Sequence, residues 1–227
     1  MGEEHRVKLS RMRKIIGNNM RNSNMNNPKT TGFMLCDVTE LLKMKETLAA
    51  AGNKVSDTAI FLKAIAVALK EHPSMNSRLD EDECIVYDSI NAGVAVDTPR
   101  GLVVLTVRDT QSKSLMEISK DFQALMGRLR ENRLTLDDYS GSTYTISNLS
   151  KSEGGFFTSI INNNECILVG IGGIHKQALV MENDEIAPRS VLYLMVNGNH
   201  VLVDGVETGK FMSRVKEILE HPNVIDW

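Results

Sequence analysis

Asn197-Gly198-Asn199-His200-Val201-Leu202-Val203-Asp204-Gly205 lies between two different periodicities. Before it, residues 190–196 form an aliphatic, β-branched run with strand character. After it, residues 206–220 place apolar side chains at helical spacing. Asn197 to His200 reads as a polar turn, Asp204 and Glu207 have N-cap to N3 spacing, and Gly205 eases the entry. A strand therefore passes through a short turn into a closing amphipathic helix.

Working outward, 143–148 and 166–171 are further strand candidates. Gly170-Ile171-Gly172-Gly173 lacks the final spaced glycine of a dinucleotide loop and no helix opens after it, so it reads as a tight bend. Ser114 and Glu117 have capping-box spacing ahead of a surface helix reaching Arg130. Between Cys84 and Arg108 come β-branched runs, Ile85-Val86-Tyr87, Val94-Ala95-Val96 and Leu102-Val103-Val104, broken at Thr98-Pro99-Arg100-Gly101. The clearest helix starts at Ser56-Asp57 and stops before His72-Pro73. Another is expected over about 39–51, and a short basic helix over 12–25 runs into an asparagine-rich loop ended by Pro28. Helices and strands mix without a strict βαβ rhythm, so the expected fold class is α+β, a mixed β-sheet flanked by helices. No repeat or internal linker is visible, and residues 1–227 are expected to form one domain, with 1–30 as an arm contacting a neighbouring subunit.

Composition narrows the function classes. A 42% hydrophobic content over 227 residues can fill a core, which excludes a disordered or collagen-like chain. With 26 Lys+Arg against 29 Asp+Glu there is no basic excess, and nucleic acid is not expected as a partner. No apolar run approaches a bilayer span, so no membrane association is expected. Cys36, Cys84 and Cys166 are widely spaced and odd in number, which suits a reducing, cytoplasmic setting and no disulfide framework. No HExxH, Walker loop, GxSxG elbow or metal-spaced carboxylate pair is present.

Two short stretches can carry chemistry. His200 between strand and helix can serve as a general base, although a plain surface turn has the same spacing. Thr143 to Asn148 ends a strand with hydroxyl and amide donors, Ser147 and Asn148 among them, which can stabilise a developing oxyanion if they face a cleft. Threonines alternating along a strand equally serve as cross-strand partners. His72 and His221 each precede a proline at a helix end, where an imidazole can cap carbonyls, and His175 has no recognisable partner.

In order along the chain, Met12-Arg13-Lys14-Ile15-Ile16, Asp37-Val38-Thr39, Ala66 to Pro73, Ala95-Val96-Asp97-Thr98-Pro99-Arg100-Gly101-Leu102, Thr143 to Asn148, Ile160-Ile161-Asn162 and His200-x-x-x-Asp204-Gly205 carry a family resemblance. Together they resemble the catalytic, inner-core domain of the dihydrolipoamide acyltransferase component of 2-oxo-acid dehydrogenase complexes, whose two-layer fold is shared with chloramphenicol acetyltransferase. The resemblance implies acyl transfer between dihydrolipoamide and coenzyme A by direct thiol attack on a thioester. It implies His200 as base, Ser147 as oxyanion donor, Asp204 as the residue holding the histidine loop, and Asp97 with Asn148 for substrate positioning. Coenzyme A is then a substrate, the lipoyl group arrives on a carrier domain not present in this chain, and no metal is required.

The same resemblance implies a homotrimer with sites between neighbours, assembled further into a cage, with the lipoyl carrier domain and the dehydrogenase components as partners. Against the family pattern, Asp-His-Arg reads Asn199-His200-Val201, losing two charges that tie down the loop, and the prolines after Ile-Ile-Asn read Asn163 and Asn164. Two other readings stay open at this point: a structural core with little catalysis, and a stand-alone chloramphenicol-type O-acetyltransferase.

Overall fold

Local chemistry sets the helix boundaries. The computed structural model describes residues 4–99, 101–153 and 155–227. Ser56 accepts a hydrogen bond from the Ala59 amide and opens helix α3 (Asp57–Glu71), one of whose faces is fully buried through Ile60, Ala64, Ile65 and Ala68. The helices before it are α1 (Arg11–Asn26) and α2 (Thr39–Ala50). After it come α4 (Leu115–Arg130), started by a reciprocal Ser114–Glu117 capping box, and α5 (Gly205–Glu220). The Asp204–Glu207 capping pair expected for α5 does not form: Asp204 is the N-cap by backbone only, and the Glu207 carboxylate accepts from the Ser74 hydroxyl instead.

The strands are β1 (Lys29–Asp37), β2 (Ser77–Asp80), β3 (Glu83–Val86), β4 (Ala92–Val96), β5 (Val103–Val107), β6 (Tyr144–Asn148), β7 (Ile167–Ile171), β8 (His175–Val180) and β9 (Ile186–Asn199). The main sheet runs β1-β9-β7-β6-β4-β5, with β8 joined to the first half of β9. β4, β6 and β7 are parallel and the remaining pairings antiparallel, giving the mixed α+β sheet. β2 and β3 form a separate hairpin. β1, β2 and β8 had no clear sequence signal, because β1 is half-buried along its length and β8 is largely exposed, so neither shows clean alternation. The expected polar turn at 197–200 also shifts: Asn197, Gly198 and Asn199 complete β9, and the turn begins at His200. The expected break at 98–101 joins β4 to β5, with Arg100 outside the described residues.

Successive strand residues point to opposite faces. Ala92, Val94, Tyr144, Ile146, Ile167, Val169, Leu192, Leu194 and Val196 turn toward the helices and merge with Ile65, Phe211 and Val215 into one core. The opposite face carries Thr145, Ser147, Gly170, Met195 and Phe33, and the segment 155–165 runs over it, Phe156 packing edge-on against Phe33 and Tyr193. At the bend after β7, Gly172 presses against the Gly155 backbone, and a Cβ there would collide with the Gly155 carbonyl. Replacing Gly172 with alanine should lower unfolding stability by about 1–3 kcal/mol in urea titration, since two backbones and no flexible side chain must move apart.

Candidate functional site

The backbone on both sides of His200 is fastened, while its imidazole stays half-open. Asn199, fully buried, donates its backbone N–H to the Cys166 carbonyl (2.8 Å) and its side-chain Nδ2 to Asn27 Oδ1 (2.9 Å). Its Oδ1 accepts from the Val201 amide (3.1 Å), and its carbonyl accepts from Leu202 and Val203. His200 N–H donates to the Pro28 carbonyl at 2.8 Å. Asn27 in turn donates to Ser23 Oγ and to the Asn163 carbonyl, both at 3.0 Å. The end of α1, the 161–163 segment and the His200 turn thus form one polar knot. The His200 side chain is 44% exposed, and its Nδ1 lies 3.9 Å from Asp204 Oδ1, beyond hydrogen-bond range, with the Asp204 carboxylate 85% exposed. Asn199, more than Asp204, holds this loop within the chain.

Ser147 projects from β6 on the face away from the helices and pairs in register with Gly170. The space a side chain would take at Gly170 is filled by Met195 Cε and the Phe157 ring, each 3.1 Å from the missing Cβ. The Ser147 hydroxyl, half-buried, makes no hydrogen bond to another described residue. Asn148 is committed elsewhere, donating to Thr58 Oγ1 (3.0 Å) and accepting from the Ser150 amide (2.9 Å). Asp97 is exposed just past β4, the strand beside β6. Ser147 shares its cross-sheet row with Met195, so His200 sits five residues along β9 and two strands away, roughly 20 Å from Ser147 in the same chain. The structure places Ser147, Asn148 and Asp97 on one end of the sheet and His200 with Asp204 on another.

A cavity of about 740 Å³ opens between α1 and the β4–β5 end of the sheet, lined by Ile16, Met20, Leu102, Val104, Tyr139 and Asn162 among others. Val104 pairs with Ala95, and continuing the β4–β6 register sets Ala95 beside Ser147, so the cavity ends roughly 10 Å from that serine. Among the described residues, no group of three His, Cys, Asp or Glu side chains could hold a metal ion, and no helix is long and apolar enough to cross a membrane.

The chain matches the family "2-oxoacid dehydrogenases acyltransferase (catalytic domain)" over residues 1–226. It belongs to that family. The chain is 34% identical over 224 residues to the succinyltransferase component of the mitochondrial 2-oxoglutarate dehydrogenase complex of Saccharomyces cerevisiae, covering 96% of this chain and 48% of the relative. It is 34% identical over 228 residues to the acetyltransferase component of the Bacillus subtilis pyruvate dehydrogenase complex, covering 98% and 51%. It therefore spans about half the length of these relatives.

Among solved structures, it superposes with TM-score 0.92 at 31% identity on an Azotobacter vinelandii dihydrolipoamide acetyltransferase, covering 98% of this chain and 94% of that one. That work concerned the role of a serine, a histidine and an asparagine, the last two four positions apart, in the catalytic mechanism. The cubic core of a pyruvate dehydrogenase multienzyme complex gives the same TM-score at 30% identity. Chloramphenicol acetyltransferase, at 19% identity and TM-score 0.55, shares the fold. The expected family and the two-layer fold class both hold.

Asn27, Asn199 and Glu165 did not stand out in the sequence as members of this site. The asparagine-rich run up to Asn27 was a signal for the first, read there only as loop composition. The other hints were departures from the family pattern: Asn199 becomes intelligible once its amide is seen to donate to Asn27, and Asn163 because its backbone sits at φ +49°, which proline cannot adopt. Replacing Asn199 with alanine leaves Asn27 Oδ1 and the Val201 amide unpaired and should cost about 1–3 kcal/mol in chemical denaturation. Glu165, four per cent exposed, has its carboxyl pushed up to about 7 by burial, against three hydrogen bonds that lower it. With a folded value above the ordinary 4.5, its contribution is fully present below that value and is lost as the pH rises to about 7. Glu165→Gln should remove this slope, so melting temperatures at pH 5 and pH 8 should shift in the variant's favour at the higher pH.

Proposed function

We propose that this chain is an acyltransferase core that moves an acyl group between dihydrolipoamide and coenzyme A, in a site completed by two copies of the chain. The observation that carries it is the separation of two prepared groups: an anchored, half-open imidazole and an unengaged serine hydroxyl, too far apart within one chain to act together. The solved relative's mechanistic trio supports the assignment, since His200 and Asp204 have the same four-residue spacing as its histidine and asparagine. His200 takes the proton from the coenzyme A thiol as the sulfur attacks the thioester carbonyl of the acylated lipoyl group. A C–S bond forms, and the oxyanion accepts a hydrogen bond from Ser147 of the neighbouring copy. Collapse breaks the bond to the lipoyl sulfur, which leaves with the proton held by His200. Asp97 and Asn148 are assigned to positioning, Asn148 by holding the end of β6 against Thr58.

The assembly is a homotrimer, built further into a cage, with a lipoyl carrier domain and dehydrogenase components as partners and a reducing, cytoplasmic setting that suits its three free thiols. The likeness to a cubic core favours this reading. The segment 1–30 is the arm that reaches the neighbour. The scaffold reading drew on the altered flanks of His200, and the neutral knot around Asn199 supplies the anchoring those charges would have given. His200→Ala and Ser147→Ala should each reduce acyl exchange about 10²-fold or more. Co-assembling the two inactive variants should restore roughly a quarter of wild-type exchange, because one interface in four then joins an intact histidine to an intact serine. A mixture as inactive as its parents would overturn the shared site.

A further inference from the structure

A carboxyl group that the reaction above does not use is buried behind both halves of the site. Glu165, just before β7, accepts hydrogen bonds at Oε1 from Ser142 Oγ (2.7 Å) and Asn162 Nδ2 (3.4 Å), and at Oε2 from Thr145 Oγ1 (2.7 Å). Asn162 Nδ2 also reaches Thr145 Oγ1 at 3.3 Å. Three connections lead outward. Thr145 shares the face of β6 with Ser147, two residues on. Asn162 lines the apolar cavity that runs toward the serine row. Cys166, the next residue, accepts the Asn199 amide immediately before His200.

We propose that Glu165 is a positioning residue for acyl transfer: its carboxylate holds Asn162 against Thr145 and thereby fixes the cleft wall beside Ser147. The inference rests on the acyl-transfer reading. An ionised carboxylate only accepts, so it can hold all three donors at once. A protonated one must itself donate, which turns one donor away and loosens Asn162. The groups facing it are the Ser142 and Thr145 hydroxyls, the Asn162 amide and, through space, the phenol of Tyr144 on β6. From β2, Arg78 bridges Glu165 by backbone only, its guanidinium lying 3.2 Å from Asp80. The negative charge is thus held by neutral donors, and burial raises the carboxyl to about 7, inside the working range of a histidine base.

The experiment measures acyl exchange between acetyl-coenzyme A and dihydrolipoamide by the assembled wild type, Glu165→Gln and Glu165→Ala from about pH 5.5 to pH 8.5. In the wild type both His200 and Glu165 must lose a proton, so the acid limb of log kcat/KM approaches a slope of two. Glu165→Gln, the neutral isostere of the protonated acid, carries a donor at every pH and so turns one partner away: it reduces that slope to one and lowers kcat at pH 8 about tenfold. Glu165→Ala lowers kcat about tenfold or more with KM for coenzyme A within about twofold, the signature of a displaced wall and not of a lost ligand contact. A slope of one in both wild type and Glu165→Gln overturns the proposal, as does Glu165→Ala with wild-type kcat. If the alanine variant does not assemble, the two slopes decide. A wild type without exchange activity overturns the acyl-transfer reading itself, whereas an active wild type with unaltered variants overturns the role of Glu165 alone.

Discussion

Asn199 is fully buried at the end of β9, and a primary amide out of reach of water needs protein partners for its donors and acceptor. It finds them on Asn27 and Val201, while its backbone ties to Cys166, Leu202 and Val203. Those partners come from α1, from the head of β7 and from the turn itself, so the His200 backbone has its place only when all three are correctly packed. The family's charged pair around the histidine is replaced here by a neutral amide and a valine. A buried aspartate without a cation would be strongly unfavourable, so losing both charges together is self-consistent.

The same arrangement links the two faces of the sheet. On the helix side, Leu192, Leu194 and Val196 seat β9 in the apolar core. On the other side, Met195 and Asn197 meet Phe157, Thr31 and Thr158. β9 is therefore held in register from both faces, since a one-residue slip would exchange its apolar and polar sets. Polar groups concentrate on the face away from the helices, where the serine, the buried glutamate and the cavity lie. Stability and chemistry use opposite sides of one sheet, and Glu165 is the clearest instance of the second at the expense of the first, since an ionised carboxylate there opposes folding.

Helices with strong local signals were legible in the sequence. The Ser56 cap, the Ser114–Glu117 box and the apolar stripe of α3 are local in origin and appear where expected. The strands at 144–148 and 167–171, apolar and buried, were legible for the same reason. β1 was not, because its pairing with β9 joins residues more than 150 apart and Gly32 interrupts its pattern. For the site, His200, Ser147, Asp97 and Asp204 could be named from motif order, and their roles rest on that order. Their separation across the sheet could not be read, because it depends on which strands are neighbours. Asn148 looked like a substrate contact, yet its amide is engaged with Thr58, a tertiary contact that no spacing reveals. Glu165 carried no motif at all; what marks it is burial against Ser142, Thr145 and Asn162.

The strand that joins β1, β7 and β8 is also the last in chain order. During synthesis, β1 emerges long before β9 and β7 only shortly before it, and neither has a neighbour on the side where β9 will insert. Until then two apolar edges stand open, each able to recruit a strand from another nascent chain. Closure of the sheet is therefore a long-range event, and the β1 edge stays exposed to aggregation until β9 inserts.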